Sequence, residues 1–353
     1  MKTWDVIIIG GGIIGLTLAI ALRKRSMKVL LVERGEPARE ASHAAGGMLA
    51  DCPLEFPLAL QPLATASARM YPEFVHELQD ESAIDVGLRD SGTVFFPPHG
   101  HAAPMPGFDP TNLDDAAQAA LEPALAATER SAVYLKERSV DPRALSAAAL
   151  KAARHRETDI SSGTTVKEIW VESGRVSGVH TERSGYGAPI VVNCAGAWAG
   201  DLFPLKIPTR PVKGQMLAVV GGPQLRHVIR SPEVYLVPRG DGRIVIGSTL
   251  EEAGYDKRTD VNTIQRLHQA AIHLVPALSR ARIIEDWAGL RPGTPDDLPI
   301  LGATEIPGYF VATGHFRDGI LLAPITAHVM AQVIAGEKPD YDLSAFSPRR
   351  FHN

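Results

Sequence analysis

The sequence lacks the features of several common protein classes. Its 353 residues include only two cysteines, Cys52 and Cys194, which are too few for a disulfide framework and fit a reducing, cytoplasmic location. The net charge is -4 and no run of basic residues occurs, which argues against nucleic-acid binding. Beyond a glycine-interrupted start, no stretch of about 20 apolar residues is present to span a membrane. What remains is typical of a soluble globular protein, with 45% apolar and 22% charged residues and a length that suggests two domains.

The first 33 residues have the order of a dinucleotide-binding unit. Val6–Ile9 is a β-branched run typical of a buried strand, residues 28–32 predict a second buried strand, and residues 16–25 between them have a helical pattern. Glu33 closes the second strand, where its carboxylate can accept hydrogen bonds from an adenosine ribose. The spacing G-x-G-x-x-G, which suits a tight turn, a pyrophosphate and close helix packing, is formed by Gly10, Gly12 and Gly15. The alternative is an ordinary βαβ start in which the glycines serve only the turn.

Two further stretches have open interpretations. Residues 39–50 are dense in small side chains, so their backbone could lie flat against a planar ligand or form a flexible glycine turn. His99 and His101 occupy a Gly/Pro-rich loop without Cys or carboxylate partners at metal spacing. We therefore expect solvated histidines and no metal site.

The middle of the chain predicts two helices and a return to the nucleotide-binding sheet. The first helix covers residues 60–81, and the second begins at Asp141-Pro142 and runs to about residue 154. An inward stripe on the first helix is formed by Leu63, Met70, Phe74 and Leu78. Residues 164–197 resemble a β-meander with strands at 165–172, 175–182 and 189–194. The last strand, in which Cys194 is interpreted as a packed thiol, runs into Gly196-Ala197-Trp198 at an end where ligands bind in open α/β sheets.

Residues 209–250 predict a second domain built on an antiparallel sheet, because short β-branched segments alternate there with glycine turns. We expect strands at 92–96, 216–220, 234–238 and 243–248, and a helix at 263–274. Near the C-terminus we expect a strand at 309–313 and a helix over 320–335, regular only from about Pro324. The predicted fold is α/β: a Rossmann-like nucleotide-binding domain of residues 1–85, 141–208 and 287–353, and an α+β domain of residues 86–140 and 209–286.

Five segments in order resemble the D-amino-acid oxidase superfamily of flavoproteins, and within it the glycine oxidase family of thiamine-thiazole synthesis. They are the glycine unit with Glu33, Ala-Gly-Gly-Met-Leu at 45–49, Asn-Cys-Ala-Gly-Ala-Trp at 193–198, Ala-Gly-Leu-Arg-Pro-Gly-Thr-Pro-Asp at 288–296, and Gly-His-Phe-Arg-Asp-Gly-Ile-Leu-Leu-Ala-Pro at 314–324. The resemblance covers nearly the whole chain. It implies a Rossmann-like FAD-binding domain and a second, substrate-binding domain.

The resemblance implies non-covalent FAD, because relatives that tether flavin through cysteine do so near the C-terminal loop, where this chain has none. The ADP half is expected along the glycine turn and the end of the second strand, at Gly10, Gly12, Ile13, Ile14, Gly15, Glu33 and Arg34. The flavin is expected against Ala41, Ser42, Gly46, Gly47 and Met48, with backbone near Val166 also contacting the cofactor. A loop over the pyrimidine edge of the flavin is expected from His315, Phe316, Arg317, Asp318, Gly319, Ile320 and Leu321. The start of the helix near Leu322 is expected to offer free N–H groups to the reduced flavin.

The resemblance also implies the substrate site. Arg291 matches an arginine that binds an amino-acid carboxylate through a bidentate fork; taken alone, without this motif, the residue would favour a structural salt bridge. Arg317 matches a second substrate-side arginine. Tyr235 matches a tyrosine that hydrogen-bonds the substrate, and the alternative is an aromatic packed in a sheet.

The implied reaction is oxidative deamination of glycine, sarcosine or a small D-amino acid, with hydride transfer to flavin N5 and release of hydrogen peroxide. Three departures from the family pattern, His43, Gly46 and Asp318, leave open a dehydrogenase that passes electrons to a quinone or another carrier. An NAD(P)-dependent dehydrogenase would explain only the first 35 residues, and a non-catalytic flavin-binding scaffold would need no buried arginine. The expected partners are the amino acid and oxygen; relatives are often oligomers, but the sequence does not decide this state.

Overall fold

The computed structural model describes residues 3–52, 57–98, 110–127 and 130–351, so the predicted loop histidines His99 and His101 lie outside the described residues. In chain order the strands are Val6–Ile9 (β1), Val29–Val32 (β2), Met48–Leu49 (β3), Thr93–Phe95 (β4), Thr111–Leu113 (β5), Ala132–Leu135 (β6), Arg138–Ser139 (β7), Asp159–Ser161 (β8), Val166–Glu172 (β9), Arg175–Thr181 (β10), Gly185–Gly187 (β11), Ile190–Asn193 (β12), Arg210–Val220 (β13), Val228–Arg230 (β14), Tyr235–Pro238 (β15), Ile244–Gly247 (β16), Arg282–Gly293 (β17), Ile300–Ala303 (β18) and Tyr309–Thr313 (β19). The α-helices are Ile13–Lys24 (α1), Ala41–Ala44 (α2), Gln61–Ser82 (α3), Asp115–Leu121 (α4), Pro142–His155 (α5), Val261–Leu274 (α6) and Ala323–Ile334 (α7). Short 3-10 helices occur at Leu58–Leu60, Gly196–Asp201, Pro276–Arg280, Ser344–Phe346 and Pro348–Phe351.

A six-stranded sheet forms the centre of the first part of the fold. Its order is β18-β19-β12-β1-β2-β8, parallel except for the edge strand β18. All four residues of β1 are buried, as expected for a strand covered on both faces. The helix α1 begins at Ile13, three residues before the predicted start, because Gly12 is its N-cap and Gly15 lies inside its first turn.

The predicted β-meander of residues 164–197 is wrong in its third strand. β9 and β10 pair as predicted, but their third partner is β11, Gly185–Gly187. The next strand, β12, leaves this small sheet and inserts between β1 and β19. Three of its four residues are buried, which suits a central parallel strand with both faces covered.

An eight-stranded sheet forms the second part, in the order β17-β13-β16-β15-β14-β4-β6-β5. All neighbours are antiparallel except β14 and β4. β13 begins at Arg210 rather than at residue 216, and it pairs along its length with β17. Because β17 runs unbroken through residues 286 and 287, it crosses the predicted domain boundary there; the division into domains remains a prediction.

Two helices, α5 and α7, begin where the sequence predicted. α5 begins after Asp141, whose Oδ1 accepts hydrogen bonds from the N–H groups of Arg143 and Ala144 at 2.9 and 3.3 Å, as the sequence predicted. α7 starts at Ala323 with Pro324 in its first turn, also as predicted. None of the helices within the described ranges is long and apolar enough to cross a membrane.

The buried face of α3 differs from the predicted stripe at two of its four positions. Leu63 and Leu78 are buried as expected, but Met70 and Phe74 are only partly buried, and Tyr71 and Val75 are buried beside them. The reason is that the helix packs on two other helices, α5 and α7, so its buried face is wider than one stripe.

Candidate active site

A cavity of about 870 Å³ lies between the carboxyl ends of β1, β2 and β12 and one face of the eight-stranded sheet. This volume is near the upper end of the range of about 300–1,000 Å³ usual for ligand and cofactor sites. All but two of the site residues predicted from the sequence line it. The predicted residues that line the cavity are Gly10, Gly12, Ile13, Ile14, Glu33, Arg34, Ala41, Ser42, Gly46, Gly47, Met48, Val166, Tyr235, Arg291, His315, Phe316, Arg317, Asp318, Gly319 and Ile320.

Gly15 and Leu321 are the two that do not line the cavity. A Cβ on Gly15 would overlap the carbonyl oxygen of Gly10 and lie 3.3 Å from Ile8, so this glycine allows α1 to pack against β1. Leu321 is buried in the apolar core instead. Both support the walls of the cavity from behind.

At the nucleotide end, the carboxylate of Glu33 is fixed by backbone groups. Its Oε2 accepts a hydrogen bond from the N–H of Gly11 at 2.7 Å, and its Oε1 accepts one from Gly35 at 2.9 Å. Each oxygen keeps a second lone pair for a ligand hydroxyl. Ser42 Oγ accepts from the N–H of Ile13 at 2.9 Å and so ties α2 to the first turn of α1.

An aromatic and cationic stack borders the same end. The guanidinium carbon of Arg34 lies 3.5 Å from the ring centroid of Trp198, and the Trp198 ring stacks on Tyr255 at 5.5 Å. The sequence placed Trp198 at the ligand end of a strand but gave no signal for its contact with Arg34, because the two residues lie far apart in sequence, after β12 and after β2.

The stretch of small residues before β3 is fixed by its neighbours. A Cβ on Gly46 would lie 3.0 Å from the Tyr235 ring, and one on Gly47, where φ is 79°, would lie 2.8 Å from Pro142 Cδ. The buried Arg239 donates to the carbonyl of Gly46 at 2.7 Å and to that of Val140 at 2.7 Å. Burial lowers the pKa of Arg239 to about 10, so this clamp remains cationic at neutral pH. The geometry is that of a tightly packed wall rather than a flexible turn.

At the opposite end of the cavity, Arg291 lies on the edge strand β17, and its side chain extends across Gly214 of the neighbouring strand β13. Its Nη2 donates to Ser248 Oγ at 2.7 Å, and its Nη1 donates to the carbonyl of Thr249 at 3.1 Å. Within the described part of the chain no carboxylate forms an ion pair with it, contrary to the salt-bridge alternative. Burial lowers the pKa of Arg291, and nearby Tyr235 raises it again.

Tyr235 packs against two glycines at the same end. A Cβ on Gly247 would lie 2.7 Å from Tyr235 Cζ, and a Cβ on Gly46 would lie 3.0 Å from Cε2 of the same ring. Its hydroxyl contacts Met216 Sδ at 3.5 Å. The ring is only partly buried and faces the cavity, so it is not simply a packed core aromatic.

The loop before α7 is held from behind by α3. The carbonyl of Ile320 accepts from the hydroxyl of Tyr71, and the carbonyl of Leu321 accepts from Ser67 Oγ at 2.6 Å. The expectation that the helix start offers free N–H groups needs correction, because the N–H of Leu322 donates to the carbonyl of Asp318 at 2.8 Å and that of Ala323 to Ile320 at 3.3 Å. The turn uses these donors itself.

His315 is buried in this loop, with its Nε2 3.0 Å from Thr326 Oγ1. Burial lowers the pKa of His315 to about 3, so the imidazole is neutral at pH 7. Of the departures noted above, Gly46 and Asp318 line the cavity, whereas His43 is not among the lining residues.

Sequence reasoning missed several lining residues, including Gly214, Arg230 and Ser248. Arg230 is buried and pairs with the buried Glu137 at 2.9 Å. These residues meet only through the pairing of β13, β14, β16 and β17, so no local motif marks them.

The glycine turn, the fixed acidic residue and a cavity that ends at a partly buried arginine define an enzyme with a dinucleotide cofactor. A family model described as FAD dependent oxidoreductase (DAO) matches residues 5–333, and the chain belongs to this family. Its cofactor is FAD. The cavity fits FAD, because N–H groups at a glycine-rich helix start suit a pyrophosphate and the carboxylate of Glu33 suits a ribose.

Similar proteins include a bifunctional protein ThiO/ThiG from Synechocystis sp., 37% identical over 99% of this chain and 54% of that protein. The chain thus spans about half the length of the bifunctional relatives. A glycine oxidase from Pseudomonas putida is 31% identical over 98% of both chains. The crystal structure of a glycine oxidase from Geobacillus kaustophilus superimposes with a TM-score of 0.93 at 31% identity, covering 99% of each chain.

Proposed function

We propose that the protein catalyses oxidative deamination of a small amino acid such as glycine, sarcosine or a small D-amino acid. The overall reaction converts the amino acid, oxygen and water into a 2-oxo acid, ammonia or an amine, and hydrogen peroxide. Bound FAD would accept the hydride from the substrate Cα. The observation that carries the proposal is Arg291, a partly buried arginine that lines the FAD cavity and has no ion pair within the described residues.

Arg291 binds the substrate carboxylate in this proposal. A guanidinium has five N–H donors, and the bonds to Ser248 and Thr249 use one donor on each terminal nitrogen. A carboxylate would accept two charge-assisted bonds from the remaining donors, which offset the cost of removing it from water. The cavity therefore selects for a substrate with a carboxylate next to the reacting carbon.

The other residues position the substrate and cofactor. The hydroxyl of Tyr235 lies beside Arg291 and would hydrogen-bond the substrate, and the exposed Arg317 would act from the loop before α7. The ADP half of FAD would lie along the glycine turn, Glu33 and Arg34, and the flavin against the wall of residues 41–48. Val166 and the loop of residues 315–320 would contact the remaining edges.

A second candidate is an FAD-dependent dehydrogenase of the same fold that passes electrons to a quinone or another carrier. The observation that favours it is Asp318, which lines the cavity and places an acidic side chain near the expected flavin. The binding of the amino acid would be the same. Only the second half of the reaction, in which the flavin is reoxidised, would differ.

The test is an anaerobic titration of the purified, yellow protein with glycine, sarcosine, D-alanine and a 2-hydroxy acid. We expect a small amino acid to bleach the flavin absorbance and admitted air to restore it with hydrogen peroxide. A flavin that stays reduced in air but is oxidised by a quinone would support the second candidate. A flavin that no amino acid bleaches would contradict the proposal.

Arg291→Ala is the matched variant. It should remain folded and yellow, with the amino-acid KM raised by roughly two orders of magnitude, the scale expected when a buried charge pair loses one member. Arg291→Lys should recover only part of the loss, because an ammonium lacks the planar fork. Turnover of a simple amine should change little. If Arg291→Ala leaves amino-acid turnover unchanged, the arginine does not bind the substrate.

A further inference from the structure

A chain of polar residues lies behind Arg291, on the side away from the cavity. It begins at Thr249, whose carbonyl accepts from Arg291 Nη1 at 3.1 Å. The side chain of the same residue accepts from the N–H of Gln215 at 2.9 Å and donates to Glu251 Oε1 at 2.5 Å. Two hydrogen bonds thus fix the side chain of Thr249, and they hold its carbonyl in position to accept from Arg291.

The carboxylate of Glu251 accepts hydrogen bonds from two residues of this chain. Its Oε1 accepts from Gln215 Nε2 at 2.8 Å as well as from Thr249, while its Oε2 lies 3.7 Å from Lys213 Nζ. Gln215 and Lys213 are 1% and 5% exposed. The backbone of Glu251 also exchanges two hydrogen bonds with Lys213, at 2.9 and 3.0 Å. The carboxylate is therefore anchored to β13, the strand next to Arg291.

The position of this chain matters because a bidentate fork works only in a narrow geometry. A guanidinium that rotates or shifts loses one of its two parallel bonds to a carboxylate. Within the described residues Arg291 donates to Ser248 Oγ and to the carbonyl of Thr249 and lies beside Tyr235, so one of its anchors depends on Thr249. The negative charge of Glu251 also raises the pKa of Arg291 against the effect of burial, so the carboxylate and the guanidinium interact electrostatically.

We propose that Glu251 is a positioning residue for the substrate arginine. It holds Thr249 through hydrogen bonds accepted by Oε1, and Thr249 in turn sets the orientation of the Arg291 fork. Glu251 does not touch the substrate. The inference rests on the proposed function, since it assigns the arginine that Glu251 orients to carboxylate binding.

The experiment compares Glu251→Ala with Glu251→Gln in the FAD-loaded protein. The probe is acetate, a carboxylate without an amine, whose Kd is measured from the change it causes in the visible spectrum of bound FAD. Amino-acid KM and kcat are measured in parallel. Glu252→Ala is the matched control, because Glu252 is the next residue but pairs on the surface with Arg210 at 3.1 Å.

For Glu251→Ala we expect acetate Kd and amino-acid KM to rise about tenfold, the scale of a lost hydrogen bond to a charged group, with kcat within about twofold of the parent protein. Glu251→Gln keeps an oxygen that can accept from Thr249 and Gln215, so it should stay within about twofold of the parent values. Glu252→Ala should match the parent. The split between KM and kcat, and the rescue by glutamine, would not arise from general loss of stability.

Two results would overturn the inference. One is parent-like acetate binding in Glu251→Ala. The other is a Glu251→Gln variant as impaired as Glu251→Ala, since that would make the negative charge, and not the hydrogen bonds, the important property. If Glu251→Ala does not fold, Thr249→Val is measured instead, because this variant lacks the side-chain hydroxyl but keeps the backbone carbonyl. Thr249→Val should show the same rise in acetate Kd. Parent-like acetate binding in Thr249→Val would overturn the inference.

Arg291→Ala, measured with the same probe, separates this inference from the proposed function. If Arg291→Ala binds acetate as the parent does, the assignment of the arginine fails. If Arg291→Ala is impaired while Glu251→Ala is not, the assignment stands and only the role of Glu251 fails.

Discussion

The guanidinium of Arg291 lies flat against the backbone of Gly214. A Cβ added at position 214 would lie 2.6 Å from Arg291 Cζ and would overlap both terminal nitrogens. The two residues are on paired strands, with Gly214 directly opposite Gly289. A glycine is needed here because any side chain would occupy the space in which the arginine lies.

Gly214→Ala should therefore displace the fork without removing its charge. We expect the amino-acid KM to rise by about ten- to a hundredfold, the scale of a misplaced binding group, while FAD stays bound. Gly240→Ala is the control, because nothing lies within 4 Å of a Cβ at that exposed position. Steady-state kinetics on both variants checks the expectation. An unchanged KM in Gly214→Ala would mean that the orientation of Arg291 does not matter.

Glu33→Arg should weaken FAD binding. The change removes an acceptor for the ribose and the anchor of the Gly11 and Gly35 N–H groups, and it adds a cation. Loss of such charge-assisted bonds costs on the order of 1.5–3 kcal/mol, so affinity should fall about tenfold or more. Titration of the apoprotein with FAD, followed by flavin fluorescence, gives the Kd.

Glu33→Gln separates the two effects of that change. It keeps one oxygen acceptor without the charge, so its FAD affinity should lie between those of the parent and Glu33→Arg. Parent-like affinity in Glu33→Arg would place the ribose away from this residue.

Local patterns predicted the elements whose signals lie within a few residues. The buried strand Val6–Ile9 and the start of α7 at Ala323, with Pro324 in its first turn, follow from side-chain type and from the geometry of proline. The cap of α5 follows from Asp141 in the same way. Nearly all of the proposed site residues also line one cavity, because the motifs that carry them flank strand ends.

Pairing between distant strands could not be predicted in the same way. The sequence predicted that Ile190–Asn193 ends a meander that returns to the nucleotide-binding sheet, but not that this strand leaves the meander and pairs with β1 and β19. Residues 282–293 carry no strand signal, yet they form the strand that holds Arg291. Thr249 and Glu251 reach that arginine only through this register.

FAD should be held without a covalent bond. Both cysteines are buried, and burial raises the pKa of the Cys194 thiol, which disfavours the reactive thiolate. Precipitation of the protein with acid should release all yellow colour into the supernatant. Flavin that remains on the washed precipitate, compared with a sample digested by protease, would contradict this prediction.

His315 should make the protein sensitive to acid. Its folded pKa of about 3 lies below the usual value of about 6.5 for an unfolded chain. Between these values the unfolded state binds a proton that the folded state does not, so stability falls as pH decreases from about 6.5 towards 3. Each unit of pKa difference is worth about 1.4 kcal/mol, and above pH 7 the effect is absent.

His315→Gln should consequently flatten the dependence of stability on pH. Glutamine keeps a polar group near Thr326 but does not titrate, so the loss of unfolding free energy between pH 6.5 and 4.5 should be smaller than in the parent protein. Urea unfolding at several pH values with excess FAD measures this slope, which is independent of any constant destabilisation by the substitution. His76→Gln is the control, because that side chain is 76% exposed. If the slope of His315→Gln equals that of the parent protein, the buried imidazole is not the source of the acid sensitivity.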